Sequence, residues 1–182
     1  MSTIKKPVVV VELNEFNTEL LFEATKQHKL PALAKVLAFK QSHYKTNDRY
    51  NSGYLEPWVQ WVSIHASTPS SSHQIKHLGD VPDLAFEQCW ETLSNHKISV
   101  GVWGVMNGAR NKAQHVPFFL PDPWTFSEKG MPNELNHLLD LPRYISKNYQ
   151  NLKIWSLIKK GLGLIRFILK SKANTKILAH TI

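Results

Sequence analysis

The side chains with which this chain could do chemistry are carboxylates, amides and histidines set at the ends of apolar runs. Glu12 closes the stretch "VVVVELNEFN", with Asn14 two residues on. A carboxylate at the end of a buried strand is costly unless it is paired or binds a metal. Divalent cations take such oxygens, so Glu12 reads as a metal ligand, or else as an exposed strand terminus or a lysine's partner. Glu56 stands directly before Pro57. Proline opens helices, which puts Glu56 at or beside an N-cap, where it either serves capping electrostatics or lies next to an anion site. His73 and His77 are four apart, but Gln74 stands where a metalloprotease helix needs Glu, so both read as loop histidines. Asn107 and Asp122 follow two further apolar runs, "ISVGVW" and "HVPFFLP".

The elements that must position these residues alternate. Val8–Val11 reads as a short, fully buried β-branched strand. "NTELLFEATKQHK" reads as a helix capped at Asn17 or Thr18, with Leu20, Leu21 and Ala24 on one face. Pro31 opens a second helix. Residues 41–54 are polar and read as a loop around one strand. Pro57 opens a third helix, broken at "TPSSSH". Asp83 to Asn95 reads as a helix with Leu84, Phe86, Cys89, Trp90 and Leu93 inward. Ile98 to Trp103 is a second buried strand, and "HVPFFLPDPW" holds a third ending at Pro121-Asp122.

This is the rhythm of an α/β fold with a mostly parallel sheet flanked by helices. Ligands of such sheets sit beyond the carboxyl ends of the strands. Glu12, Asn14, Asn107 and Asp122 therefore fall along one expected edge, and Glu56, at the start of the third helix, is expected within reach of Glu12 there.

Charge divides the chain. It has 182 residues and a net charge of +8, yet residues 141–182 hold nine Lys and Arg and no acid. The rest is near neutral, so the basic pI belongs to a tail. That disfavours nucleic acid as a partner of the body and points the tail at an anionic membrane surface or an absent acidic partner. Residues 1–140 read as the α/β core and 141–182 as a basic, amphipathic helical tail. Residues 152–169 are apolar but cut by Lys153, Lys159, Lys160 and Arg166, which argues against a membrane span. The lone cysteine, Cys89, reads as a core residue, and the N-terminus lacks a signal-peptide apolar region, so a cytoplasmic location is expected, peripheral at the membrane if the tail binds there. There is no P-loop, GxGxxG, CxxC or GxSxG.

Together, "VVVVELNEFN" and "EPWVQWVSIHASTPSSSHQIKHLGD" resemble the N-terminal half of the alkaline phosphatase superfamily, in its type I phosphodiesterase/nucleotide pyrophosphatase-like group, over residues 7 to 125. The resemblance implies an alkaline-phosphatase-like core and a metal-dependent hydrolase of small phosphorylated or otherwise anionic substrates. It implies a divalent metal (Zn, Mn or Mg) at Glu12, with Glu56 filling the place of the nucleophile and holding the same metal. Asn14, His73, Asn107 and Asp122 would line the site. The chain departs from the pattern at the nucleophile position, which is Leu55. Ala66-Ser67 and His73-Gln74 stand for the family's "TG" and "HG", and no second set of Asp and His ligands follows Asp122. A two-metal phosphoryl site needs both sets. The expectation is thus an incomplete hydrolase fold, inactive as this chain alone, with the tail meeting a missing C-terminal half or a membrane. The alternatives are a non-catalytic binding module of the same fold and a membrane-surface protein acting through its tail.

Overall fold

Asn17 starts the first helix: its side-chain oxygen accepts the N–H of Leu20 at 2.9 Å, satisfying one of the donors that a helix start leaves open. The computed structural model describes residues 7–44, 46 and 56–171. The loop strand expected within residues 41–54, the Leu55 position and the end of the tail lie outside the described residues. The chain divides into two units, Met1–Ser52 and Gly53–Ile182.

The first unit holds α1 (Thr18–Gln27) and α2 (Pro31–Leu37), which pack on each other. Leu21 is buried, but Leu20 is exposed, so the inward face of α1 is narrower than expected. Val8–Val11 corrects the expectation of a buried strand: the four valines are not in a strand, and each is more than 70% exposed. A β-branched run is a strand only where another strand takes up its N–H and C=O groups, and no described strand pairs with this one.

The second unit is mixed α/β. After α3 (Pro57–His65) comes a single turn, α4 (Ser70–His73), then a 3-10 turn at Val81–Asp83 and α5 (Cys89–Asn95). The helix expected from Asp83 begins six residues late. The N–H of Gln88 is held by the Glu91 carboxylate at 3.0 Å, which starts a new helix there. This shift turns Trp90, Glu91 and Ser94 inward and leaves Cys89 exposed, correcting its assignment to the core.

The sheet is a parallel pair, β1 (Val102–Val105) and β2 (Phe119–Pro121), with Val102 opposite Phe119 and an irregularity at Gly104. β1 thus starts four residues later than the expected strand, whereas β2 lies where the sequence places it. Phe119 also exchanges both backbone hydrogen bonds with Met131, at 2.7 and 2.8 Å, so β2 is flanked on both sides. Two apolar clusters support this frame. Trp90, Val102, Ala113, Val116 and Phe119 form one; Val62, Ile75, Val81 and Ala109 form the other. The Trp90 indole N–H ties them by donating to the Ala109 carbonyl at 2.8 Å. Two helices follow, α6 (Asn136–Asn148) and α7 (Ile154–Lys170), packed against each other.

Candidate functional site

Asn107 and Asp122 follow β1 and β2, and the structure brings them together at the carboxyl end of the parallel pair. The Asn107 backbone N–H donates to Asp122 Oδ2 at 2.7 Å. Asp122 Oδ2 also accepts the Thr125 hydroxyl at 2.8 Å, and Oδ1 accepts the N–H groups of Trp124 at 2.7 Å and Thr125 at 2.8 Å. Four donors therefore surround this buried carboxylate and satisfy both of its oxygens. Asn107 is equally occupied. Its Oδ1 accepts the Gly79 N–H at 2.8 Å, and its Nδ2 donates to the carbonyls of Trp58 and His77, both at 3.1 Å. Its φ of 52° lies in the left-handed region, which asparagine tolerates better than most residues. Gly79, at φ 91°, approaches the Trp124 carbonyl so closely that a Cβ would stand 3.2 Å from it. These groups knit α3, the Gly79 turn and both strand ends into one polar knot.

Buried Gln88 and half-buried Arg143 extend the knot, and neither is among the expected site residues. The Gln88 side chain donates to the Asn107 carbonyl at 3.0 Å and accepts the Ala109 N–H at 2.9 Å. Arg143, on α6, donates through Nη2 to the carbonyls of Thr125 and Glu128, both at 2.7 Å. Burial lowers the guanidinium's proton affinity, and the charges of Asp122, Asp140 and Glu128 oppose that loss. Two local signals were available: the Q-x-x-E spacing of Gln88 and Glu91, and Asp122 three residues before Thr125, the pattern of a side chain folding back on its own turn.

His73 meets a hydroxyl. Ser63 Oγ lies 2.9 Å from His73 Nε2, the spacing of a nucleophile and its base. The rest of the ring's bonding decides against that role. His73 Nδ1 accepts the backbone N–H of Ile75 at 3.0 Å. A backbone N–H can only donate, so in the neutral ring the proton sits on Nε2 and points at the serine oxygen. The Ser63 hydroxyl in turn donates to the Val59 carbonyl, one helical turn back, at 3.3 Å. A general base needs the opposite tautomer, with Nδ1–H oriented by an acceptor and Nε2 free to take a proton. Burial lowers the His73 pKa, with a hydrogen bond to the Val59 backbone opposing, which favours the neutral ring. His73 is therefore a buried structural residue of α4 rather than a loop histidine.

The remaining expected site residues are divided. Glu12 is half-buried and Asn14 is exposed, both in the first unit. Glu56 is the N-cap of α3 in the second unit, as its place before Pro57 suggests, and its carboxylate makes no capping hydrogen bond. Among the described residues there is no group of three or more His, Cys, Asp or Glu side chains that could hold a metal ion. Asp122 has no oxygen to spare, and the Asn107 amide is fully engaged. Glu12 and Glu56 are fewer side chains than a structural zinc site takes, whereas magnesium is held by one or two carboxylates with water at its other positions. An open cavity of about 490 Å³ in the first unit is lined by Thr18, Glu19, Phe22, Glu23, Leu37 and Gln41, none of them among the expected site residues. Compared with known proteins, the chain matches no family model, no curated protein and no solved structure.

Proposed function

We propose that this chain carries a strand-and-helix frame akin to that of metal-dependent phosphoester hydrolases of the alkaline phosphatase superfamily, and that, taken alone, it turns over no phosphate ester. The resemblance of its motifs supports the first half, together with polar residues at the carboxyl ends of a parallel strand pair and a Glu-Pro helix start. One observation carries the second half: the Ile75 N–H donates to His73 Nδ1, which assigns the proton of the neutral ring to Nε2, the wrong nitrogen for activating Ser63. Asp122 and Asn107, placed where such a fold holds its ligands, are spent on backbone groups of this unit. In this reading the chain is a binding module for a small anionic ligand, and the divalent-metal role of Glu12 and Glu56 rests on the resemblance alone.

The test is hydrolysis of a nitrophenyl phosphate monoester and diester by the purified chain with Zn, Mn or Mg added. The expected result is no turnover above the protein-free blank. Turnover that is lost in both Ser63→Ala and Glu12→Gln would overturn the inactive reading. Metal content of the same preparation, compared with Glu12→Gln and Glu56→Gln, tests the metal separately.

A further inference from the structure

Helix α7 has two apolar faces, and the fold uses one. Leu157, Leu164, Phe167 and Ile168 are half-buried on the side that packs against α6. Phe167 stacks near His137 at 5.6 Å between ring centres, and the Lys160 ammonium lies over the Tyr144 ring at 5.6 Å. The other face carries Ile154, Trp155, Ile158, Leu162, Ile165 and Leu169, all exposed, with Trp155 at 79% and Leu169 at 67%. From Ile154 the aliphatic residues recur at intervals of four, four, three and four, so they form one continuous stripe along the helix.

Charge says what covers this stripe. Lys159, Arg166 and Lys170 are exposed and fall in a single file along one side of it, spaced by seven and four. No acid occurs anywhere in residues 141–182. A second copy of the helix would bring like charges together, and nucleic acid would gain nothing from the apolar row. The helix is not long and apolar enough to cross a membrane. An apolar stripe bordered by cations suits a helix lying flat in an anionic bilayer surface, with its side chains among the acyl chains and its cations at the headgroups.

We propose that the exposed face of α7 is a docking surface for anionic lipid bilayers. It is independent of the reading of the Ser63–His73 pair, and either can fail without the other. The test is co-sedimentation of the full chain with vesicles of phosphatidylcholine alone or with equal parts phosphatidylglycerol. Binding to the anionic vesicles is expected, with little to the neutral ones. It should fall as salt rises from roughly 0.1 M to roughly 1 M, which shortens the screening length from about 10 Å to about 3 Å. Replacing Lys159, Arg166 and Lys170 together by Gln should weaken binding on the order of a hundredfold, at about 1 kcal/mol per cation near the surface. Leu162→Gln with Ile165→Gln should abolish it, and because all five side chains are exposed, circular dichroism should show the fold unchanged. Equal binding to both vesicles, binding indifferent to salt, or no binding overturns the proposal. So does lipid-free self-association in sedimentation equilibrium that the Leu162→Gln, Ile165→Gln variant removes, because a second copy would then be the occupant.

Discussion

Replacing Asn107 separates a structural residue from a ligand-lining one. The side chain is fully buried and makes three hydrogen bonds, to Gly79, Trp58 and His77. At about 1 kcal/mol net for each bond, losing all three costs about 3 kcal/mol. Asn107→Gly should lower stability by about that much, since glycine accepts the left-handed backbone. Asn107→Ala loses the same bonds and must also hold φ at 52°, where a Cβ costs roughly 1–2 kcal/mol. Part of this is offset by the greater freedom glycine regains on unfolding, so alanine should end about 1 kcal/mol below glycine. Both losses are large beside the 5–15 kcal/mol, roughly, that stabilises an ordinary domain. Urea unfolding followed by tryptophan fluorescence gives the midpoints, and the slopes show whether the transition has kept its character. Losses of less than about 0.5 kcal/mol in both variants, the usual range for a site that is not structural, would refute the knot. If alanine proved as stable as glycine, the left-handed conformation at Asn107 would be wrong.

Two further predictions concern pH. The His73 ring, lowered by burial, resists protonation in the fold, so the unfolded ring takes up its proton first as pH falls. Its contribution to stability is present above the ordinary value of 6.5 and is lost as pH falls from there toward the lower folded value. Thermal melts from neutral to mildly acid pH should show that loss, and His73→Gln should flatten it; an unaltered slope would contradict the buried neutral ring. Burial raises the Glu128 carboxyl above its ordinary 4.5, with the Arg110 contacts the foremost opposing influence. Its favourable contribution is present below 4.5 and is lost as pH rises through the raised value, so the ionised carboxylate is a net cost at neutral pH. Glu128→Gln should therefore raise the melting temperature at neutral pH, with the gain vanishing below 4.5; a lower melting temperature at neutral pH would show that the arginines outweigh the burial.

The elements legible in the sequence were those set by local rules. Asn17 caps α1, Pro31 and Pro57 open α2 and α3, and β2 ends at Pro121 before Asp122, each where the residues themselves place it. Val8–Val11 departs from its expected strand because an apolar run records burial preference and not the strand that must pair with it, and β1 departs in starting four residues late. The Asp83–Asn95 helix was misread because the exchange between Gln88 and Glu91 outweighs a hydrophobic pattern that would begin earlier. Of the candidate site, the strand-end positions of Asn107 and Asp122 were legible and their hydrogen-bond partners were not. Asn107 and Asp122 do sit at strand ends, but what occupies Asn107 comes from Trp58, His77 and Gly79, residues far from it in sequence. Nothing near His73 in the sequence announces that the Ile75 N–H will claim Nδ1, yet that bond decides what the ring can do.

The second unit engages Asn107, Asp122 and His73 with its own backbone groups, and the His73 ring reports this atom by atom. Nitrogen-15 NMR of the imidazole at neutral pH, assigned by comparison with His73→Gln, reads which ring nitrogen bears the proton. The account predicts a proton on Nε2, facing Ser63, with Nδ1 bare and accepting the Ile75 N–H. A proton on Nδ1, leaving Nε2 open toward the serine hydroxyl, would contradict it and return Ser63 and His73 to the candidates for catalysis.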